Sequence, residues 1–211
     1  VPHLCYCHAP ARYVWSQSAQ YRGGLRGLGL RVVRGRFQDW DRRTAANVTR
    51  FLANSTHIAS EIERCYEREA YVVHPPVRTD LFTPDQTLDR NDSWLIVSAL
   101  EPYKRIDLAV EAAMRRDARL IVVGTGSQKQ TLLAQARGAA GVEFRGRVSL
   151  QELLELYRTS RLLLYPQVED FGITAVEAQS CGMPVVARGA GGALDSVRDG
   201  ETGCLYDEDA V

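Results

Sequence analysis

The stretch LLLYPQVEDFGITAVEAQSCGMPVVARGAGG, residues 162–192, decides the fold. It opens on Leu162-Leu163-Leu164-Tyr165, an unbroken apolar run of strand length, as a strand buried on both faces requires. A helix from about Gly172 to Cys181 follows, stopped by Gly182 with Pro184 just beyond. Pro184-Val185-Val186-Ala187 reads as the next strand, and Gly191-Gly192 opens a last short helix. Strand and helix alternating with short punctuation predict a parallel sheet covered by helices.

The same alternation extends back to Ser93. Trp94-Leu95-Ile96-Val97-Ser98 is a strand, and Ile106, Ala109, Val110 and Ala113 recur at helical spacing. Arg119 to Val123 is a second strand, ending in Gly124-Thr125-Gly126. Ser127 with Gln130 reads as a capping box for a helix to about Arg137. Val142-Glu143-Phe144 is a short strand, and Ser149 with Glu152 is a second capping box before the stripe Leu150, Leu153, Leu154 and Tyr157. The predicted class is α/β, a doubly wound parallel sheet of Rossmann-like type over residues 93–211. Residues 1–76 read as the end of an incomplete preceding domain, and 77–92 as the connection between the two. In that first part Cys5 to His8 ends a strand, Trp40 to Thr49 forms a helix, and Phe51 to Asn54 is a strand. Ile58, Ile62 and Cys65 mark an amphipathic helix, and Tyr71-Val72-Val73 runs into Pro75-Pro76.

Across all 211 residues, 45% are hydrophobic and 25% charged, ordinary values for a globular protein. The formal net charge is zero, so nothing global points to nucleic acid. No apolar run approaches the roughly 18–20 residues of a membrane span. Val1-Pro2-His3 has neither the basic lead nor the apolar stretch of a secretory signal. The expectation is a cytoplasmic protein, and the chain reads as a segment cut from a longer one. Its five cysteines are then reduced thiols. His3, Cys5, Cys7 and His8 invite a metal, but strand alternation places His3, Cys5 and Cys7 on one face, where cysteine packs as a small apolar residue. No second Cys/His pair follows at zinc spacing, so no metal is expected.

The chemistry gathers at Glu169-Asp170-Phe171-Gly172 and at Glu177 on the next helix. This lies just past the C-terminal end of a strand, where open α/β sheets bind ligands. Amides at a helix start receive phosphate oxygens, and the helix dipole favours the anion. A carboxylate accepts paired hydrogen bonds from vicinal hydroxyls, which suits Glu169 to a sugar and Glu177 to a ribose. The alternative is that Glu169 and Asp170 complement the helix start while Glu177 is solvated.

Four motifs then carry a resemblance. Glu169 to Glu177 matches the E-x7-E motif of glycosyltransferase family 4, within the similar run EDFGITAVEAQSCGMPVVARGAGGALDSV. VSALEPYKRIDLAVEA, residues 97–112, resembles that family's phosphate-contacting strand, turn and helix. YCHAPARYVW and FLANSTHIASEI resemble the end of the first domain in bacterial mannosyltransferases of surface polysaccharide assembly. The resemblance implies a retaining transferase with two Rossmann-like domains, the GT-B architecture, working without metal or cofactor. It implies a nucleotide-sugar donor, GDP-mannose first and a UDP-sugar second, and a glycan or polyprenyl-linked glycolipid acceptor.

By the same resemblance Lys104 holds the donor diphosphate, Glu169 contacts the transferred sugar and Glu177 holds the ribose. The amides of Phe171 and Gly172 support the phosphates, Gly124 belongs to the donor site, and Arg147 and Val148 lie in the loop that receives the base. His8 faces the cleft between domains, where imidazole would donate to a phosphate or hydroxyl; a strand-end histidine bound to backbone is the alternative. Many family members carry an arginine where this chain has Ala99, and neighbouring Arg105 is the residue placed to compensate. The glycine-rich phosphate loop of the first domain is not in this sequence. Arg22 to Arg43 holds seven arginines against Asp39 and Asp41, which suits either peripheral contact with an anionic membrane or a solvated surface. Other readings are a nucleotide-sugar epimerase and a non-catalytic binding module. A dinucleotide dehydrogenase fails because Gly124-Thr125-Gly126 lacks the third glycine. The expected behaviour of this piece is donor binding without transfer.

Overall fold

The computed structural model describes residues 1–12, 14–15 and 24–207, with backbone alone for 24–33. The chain divides into two compact units, Val1–Pro75 and Pro76–Val211. In the first, β1 (Leu4–Cys7), β2 (Arg50–Ala53) and β3 (Ala70–Val72) pair in parallel in that order. Helices α1 (Gly24–Ala45) and α2 (Thr56–Tyr66) make the crossovers. The Ser55 hydroxyl caps α2 by accepting the Ile58 amide, and Ile58 and Ile62 bury the helix against Phe51 and Ala53.

Helix α1 is the main departure from expectation, running far ahead of Trp40 and stopping at Ala45. Its described portion is fastened by polar bonds. Arg34 donates to the Val14 carbonyl at 2.8 Å and Arg42 to the Cys65 carbonyl at 2.8 Å. Asp41 accepts the Trp15 indole at 2.8 Å and the Tyr66 hydroxyl at 3.0 Å. A helix held this way shows no apolar stripe, so periodicity underestimates it.

In the second unit the chain runs through β4 (Trp94–Val97), a 3-10 turn (Pro102–Lys104) and α3 (Ile106–Arg115) to β5 (Leu120–Val123). Then come α4 (Lys129–Gln135), β6 (Val142–Gly146), α5 (Leu150–Thr159) and β7 (Leu162–Tyr165). Last are α6 (Ile173–Ser180), β8 (Val185–Arg188), α7 (Ala193–Ser196) and β9 (Gly203–Tyr206). All pairings are parallel, in the order β6-β5-β4-β7-β8-β9. The order reverses between β4 and β7, which is the topological switch point of a doubly wound sheet. Alternate residues feed two cores. Ile96, Leu120 and Val122 pack under Ile106, Val110 and Leu132, while Leu95, Ile121, Leu163 and Val185 meet Tyr157, Ala175 and Ala178.

Three details differ from the sequence reading. Ser127 does not cap α4: its amide and hydroxyl bond Glu101 at 3.0 and 2.6 Å, and the helix begins after Gln128. Strand β9 was not foreseen, because Gly203-Cys204-Leu205-Tyr206 is short and carries little β signal. Residues 77–92, expected as a connection, are built into the second unit. Phe82 packs edge-on against Tyr157 in the core, and Arg90 donates to the carbonyls of Tyr157, Ser160 and Cys181. The stretch has the composition of a loop, but those two side chains anchor it.

Candidate functional site at the switch point of the sheet

The loops after β4 and β7 leave the sheet side by side, and they bring Lys104 to Glu169. After β4, the Leu100 amide donates to Thr125 at 3.0 Å, and Pro102 opens the 3-10 turn. Arg105 closes that turn in the left-handed region (φ 51°). The geometry swings Lys104 inward until it is only 9% exposed. Its ammonium forms an ion pair with Glu169 Oε1 from the loop after β7, and the Glu169 side chain is 21% exposed. A lysine this buried is tolerable because the carboxylate faces it.

Glu169 is held from behind, its carbonyl accepting the Gly192 amide at 2.8 Å. The loop then turns sharply into α6 through Gly172, where φ is +89° and a Cβ would meet the Tyr165 hydroxyl at 2.3 Å. Only glycine fits there. The Phe171 side chain is buried, and the start of α6 presents its amide end at this edge. Glu177 stands half-buried on α6 and accepts the Tyr157 hydroxyl at 3.3 Å. Burial pushes its carboxyl above the usual glutamate range, with the tyrosine bond pulling the other way. Burial also raises the Tyr157 phenol far above its ordinary value, so it remains a donor.

At the neighbouring strand ends, Gly124 (φ +135°) donates its amide to the Gly146 carbonyl at 2.7 Å. A Cβ on Gly124 would lie 1.8 Å from the Ser98 carbonyl oxygen, so the loops after β4 and β5 touch backbone to backbone. Arg147 is exposed, while Val148 packs against the core. Arg105, placed by sequence beside Lys104, instead directs its guanidinium to Asp107 at 3.3 Å. Its side chain is 41% exposed, and its backbone is left-handed where the 3-10 turn meets α3.

His8 lies in the first unit at the end of β1, exposed, with its ring edge-on to Tyr6 at 5.1 Å. Its carbonyl accepts the Asn54 side-chain amide at 3.4 Å. Of the basic segment, Arg22 lies outside the described residues; Arg36 and Arg43 are exposed. Among the described residues no group of three His, Cys, Asp or Glu side chains is arranged to hold a metal. The Cys7 and Cys65 thiols are buried and pushed up to about 11 by that burial, as packed, unreactive cysteines should be.

Two residues escaped the sequence reading. Tyr157 looked like part of an apolar stripe, although its hydroxyl is what reaches Glu177. Gln167, in the loop between β7 and Glu169, is 3% exposed, and its Oε1 has no partner among the described residues. No spacing or composition signals such a burial. The site itself is an open sheet edge. An apolar groove of about 230 Å³, lined among others by Leu108, Leu164, Tyr165, Val186 and Tyr206, offers no charge to a ligand.

Comparison with known proteins bears on the fold and the family. A D-inositol 3-phosphate glycosyltransferase of Mycobacterium sp. (strain JLS) is 39% identical over 155 residues, covering 64% of this chain and 35% of the relative. Its counterpart from Geodermatophilus obscurus is 33% identical over 197 residues, covering 79% and 44%. The matched part of the chain thus spans less than half the length of these relatives. Among solved structures, HepE of Anabaena in complex with UDP and glucose has the same fold, with a TM-score of 0.73 at 20% identity. That match covers 98% of this chain and 58% of HepE. The pneumococcal O-GlcNAc transferase GtfA in complex with UDP and GlcNAc aligns with a TM-score of 0.65 at 20% identity, covering 83% and 37%. The family model described as glycosyl transferases group 1 matches residues 83–211, a run that holds all six strands of the second sheet and both charged loops, and the chain belongs to that family.

Proposed function

We propose that the switch-point edge of the second unit binds the diphosphate of a nucleotide-sugar donor. The protein to which it belongs would move that sugar to a hydroxyl of a glycan or glycolipid. The observation that carries this is the meeting of Lys104 and Glu169 beside the start of α6. Lys104 supplies positive charge to the diphosphate, and the Phe171 and Gly172 amides add helix-end support. Glu169 takes the hydroxyls of the transferred sugar, Glu177 those of the ribose, and the Arg147-Val148 loop lies toward the base, with Gly124 at its side. In the reaction the bond from the anomeric carbon to the diphosphate oxygen breaks, its electron pair leaving with the diphosphate. The acceptor oxygen bonds that carbon and passes its proton to the departing phosphate. Stabilising the charge on that leaving group is the protein's main task.

The resemblance to bacterial mannosyltransferases supports GDP-mannose as donor and a polyprenyl-linked acceptor. The UDP bound in HepE and in GtfA supports a UDP-sugar as the second reading. By the same resemblance His8 would donate to a phosphate or hydroxyl of the substrate, and the basic α1 would rest on the anionic membrane that carries such an acceptor. The cytoplasm is where both donors are expected.

Calorimetric titration of the 211-residue chain with GDP-mannose and UDP-glucose tests the donor reading. One of them should bind, and Lys104→Ala should weaken it about tenfold to a hundredfold, roughly 1.5–3 kcal/mol. Equal affinity in the variant would remove Lys104 from the site.

A further inference from the structure

The charge that a diphosphate needs is engaged within the protein itself. Lys104 is 9% exposed and its ammonium is paired with Glu169, whose side chain is 21% exposed. An entering diphosphate must therefore draw Lys104 away from the carboxylate, or share it. Separating a partly buried ion pair leaves a charge without its counterion, which is costly unless another group replaces it. What replaces it differs between two ligands. A nucleotide sugar brings hydroxyls, which donate to a carboxylate and compensate Glu169. A bare nucleoside diphosphate has only its ribose hydroxyls, which this reading gives to Glu177, and sets a larger negative charge beside an uncompensated Glu169.

We infer that Glu169 makes this site discriminate between the donor and the spent nucleotide, by competing with the diphosphate for Lys104. This rests on the donor-binding reading of the site. Glu169 yields Lys104 when sugar hydroxyls occupy it, and reclaims the lysine once the sugar has left. The carboxylate thereby favours donor entry and product release with a single contact. Simple cation recognition has the opposite order, since the nucleoside diphosphate carries more negative charge than the nucleotide sugar and would bind Lys104 more tightly.

The test compares UDP with UDP-glucose, and GDP with GDP-mannose, by calorimetric titration of the 211-residue chain without acceptor. The proteins are the wild type, Glu169→Gln, Glu169→Ser, Lys104→Ala and the double variant Glu169→Gln/Lys104→Ala, each checked by thermal melting. Removing the Glu169 charge should tighten nucleoside diphosphate binding about tenfold and leave nucleotide-sugar binding unchanged or weaker. In the Lys104→Ala background the same removal should change nucleoside diphosphate affinity less than about threefold, because the competition needs both partners. Unchanged or weaker nucleoside diphosphate binding in both Glu169 variants, with the wild type still binding, would overturn the discrimination and leave the donor site standing. No binding of any of the four nucleotides by wild type or variants would overturn the donor reading, and the discrimination with it.

Discussion

Glu177 sits half-buried on α6 with the Tyr157 hydroxyl 3.3 Å from its carboxylate, and burial raises its pKa. A carboxyl raised in the fold above its unfolded value stabilises the protein below the unfolded pKa, near 4.3, and that contribution is lost as pH rises through the folded pKa. Glu177 therefore favours the fold less as the pH rises from about 4. Glu177→Gln should melt no lower than wild type at pH 7, with any advantage shrinking toward pH 4, while nucleoside diphosphate affinity falls about three- to tenfold from the lost ribose contact. A variant that melts lower at pH 7 and binds nucleotide as before would assign Glu177 to the framework. At this scale, charge was legible and burial was not. Glu169 and Glu177 stand out by their spacing around a helix start, and Lys104 by its place after a strand. The hydroxyl of Tyr157 and the buried amide of Gln167 depend on which neighbours close over them, which local sequence does not encode.

The elements divide along the same line. Strands β4, β5 and β7 are continuous apolar runs, and α3 buries all four residues that its spacing marked, because hydrophobic packing writes a period into the chain. Helix α1 is fixed by arginine, aspartate and indole bonds to distant backbone and side chains, so its length was hidden. Its outer surface also shows what a list of arginines does not. Phe37 is 42% and Trp40 52% exposed, their rings edge-to-face at 5.3 Å, with Arg36 and Arg43 exposed on the same helix and Asp39 flanking them. Aromatic rings beside cations suit an anionic bilayer surface. Co-sedimentation with phosphatidylserine-containing vesicles should exceed that with neutral vesicles. Arg36→Ala and Arg43→Ala should each weaken it about fivefold, in line with roughly 1 kcal/mol per arginine. Trp40→Ser should weaken it as well. Equal binding to neutral vesicles, or variants that bind as the wild type does, would make this face a solvated one.

For the whole molecule, what the sequence did not spell out is the strand order. Lys104 and Glu169 are 65 residues apart, and only the reversal between β4 and β7 puts their loops next to each other. The same reversal places the start of α6 and the Gly124 loop at that edge, so the topology assembles the site and the residues lend it charge. The βα alternation was enough to foresee a doubly wound sheet; the contact between its two charged loops required the fold. If this edge is the donor site, a nucleotide should leave its footprint there and nowhere comparable. Hydrogen–deuterium exchange of the 211-residue chain with and without saturating UDP or GDP measures this directly. Protection should concentrate in the turn around Lys104, in Gly124-Thr125-Gly126 and at Phe171-Gly172 with the first turn of α6, and at a nucleotide concentration near the wild-type Kd it should fall sharply in Lys104→Ala. Protection confined to other segments, with these three unchanged, would contradict the account.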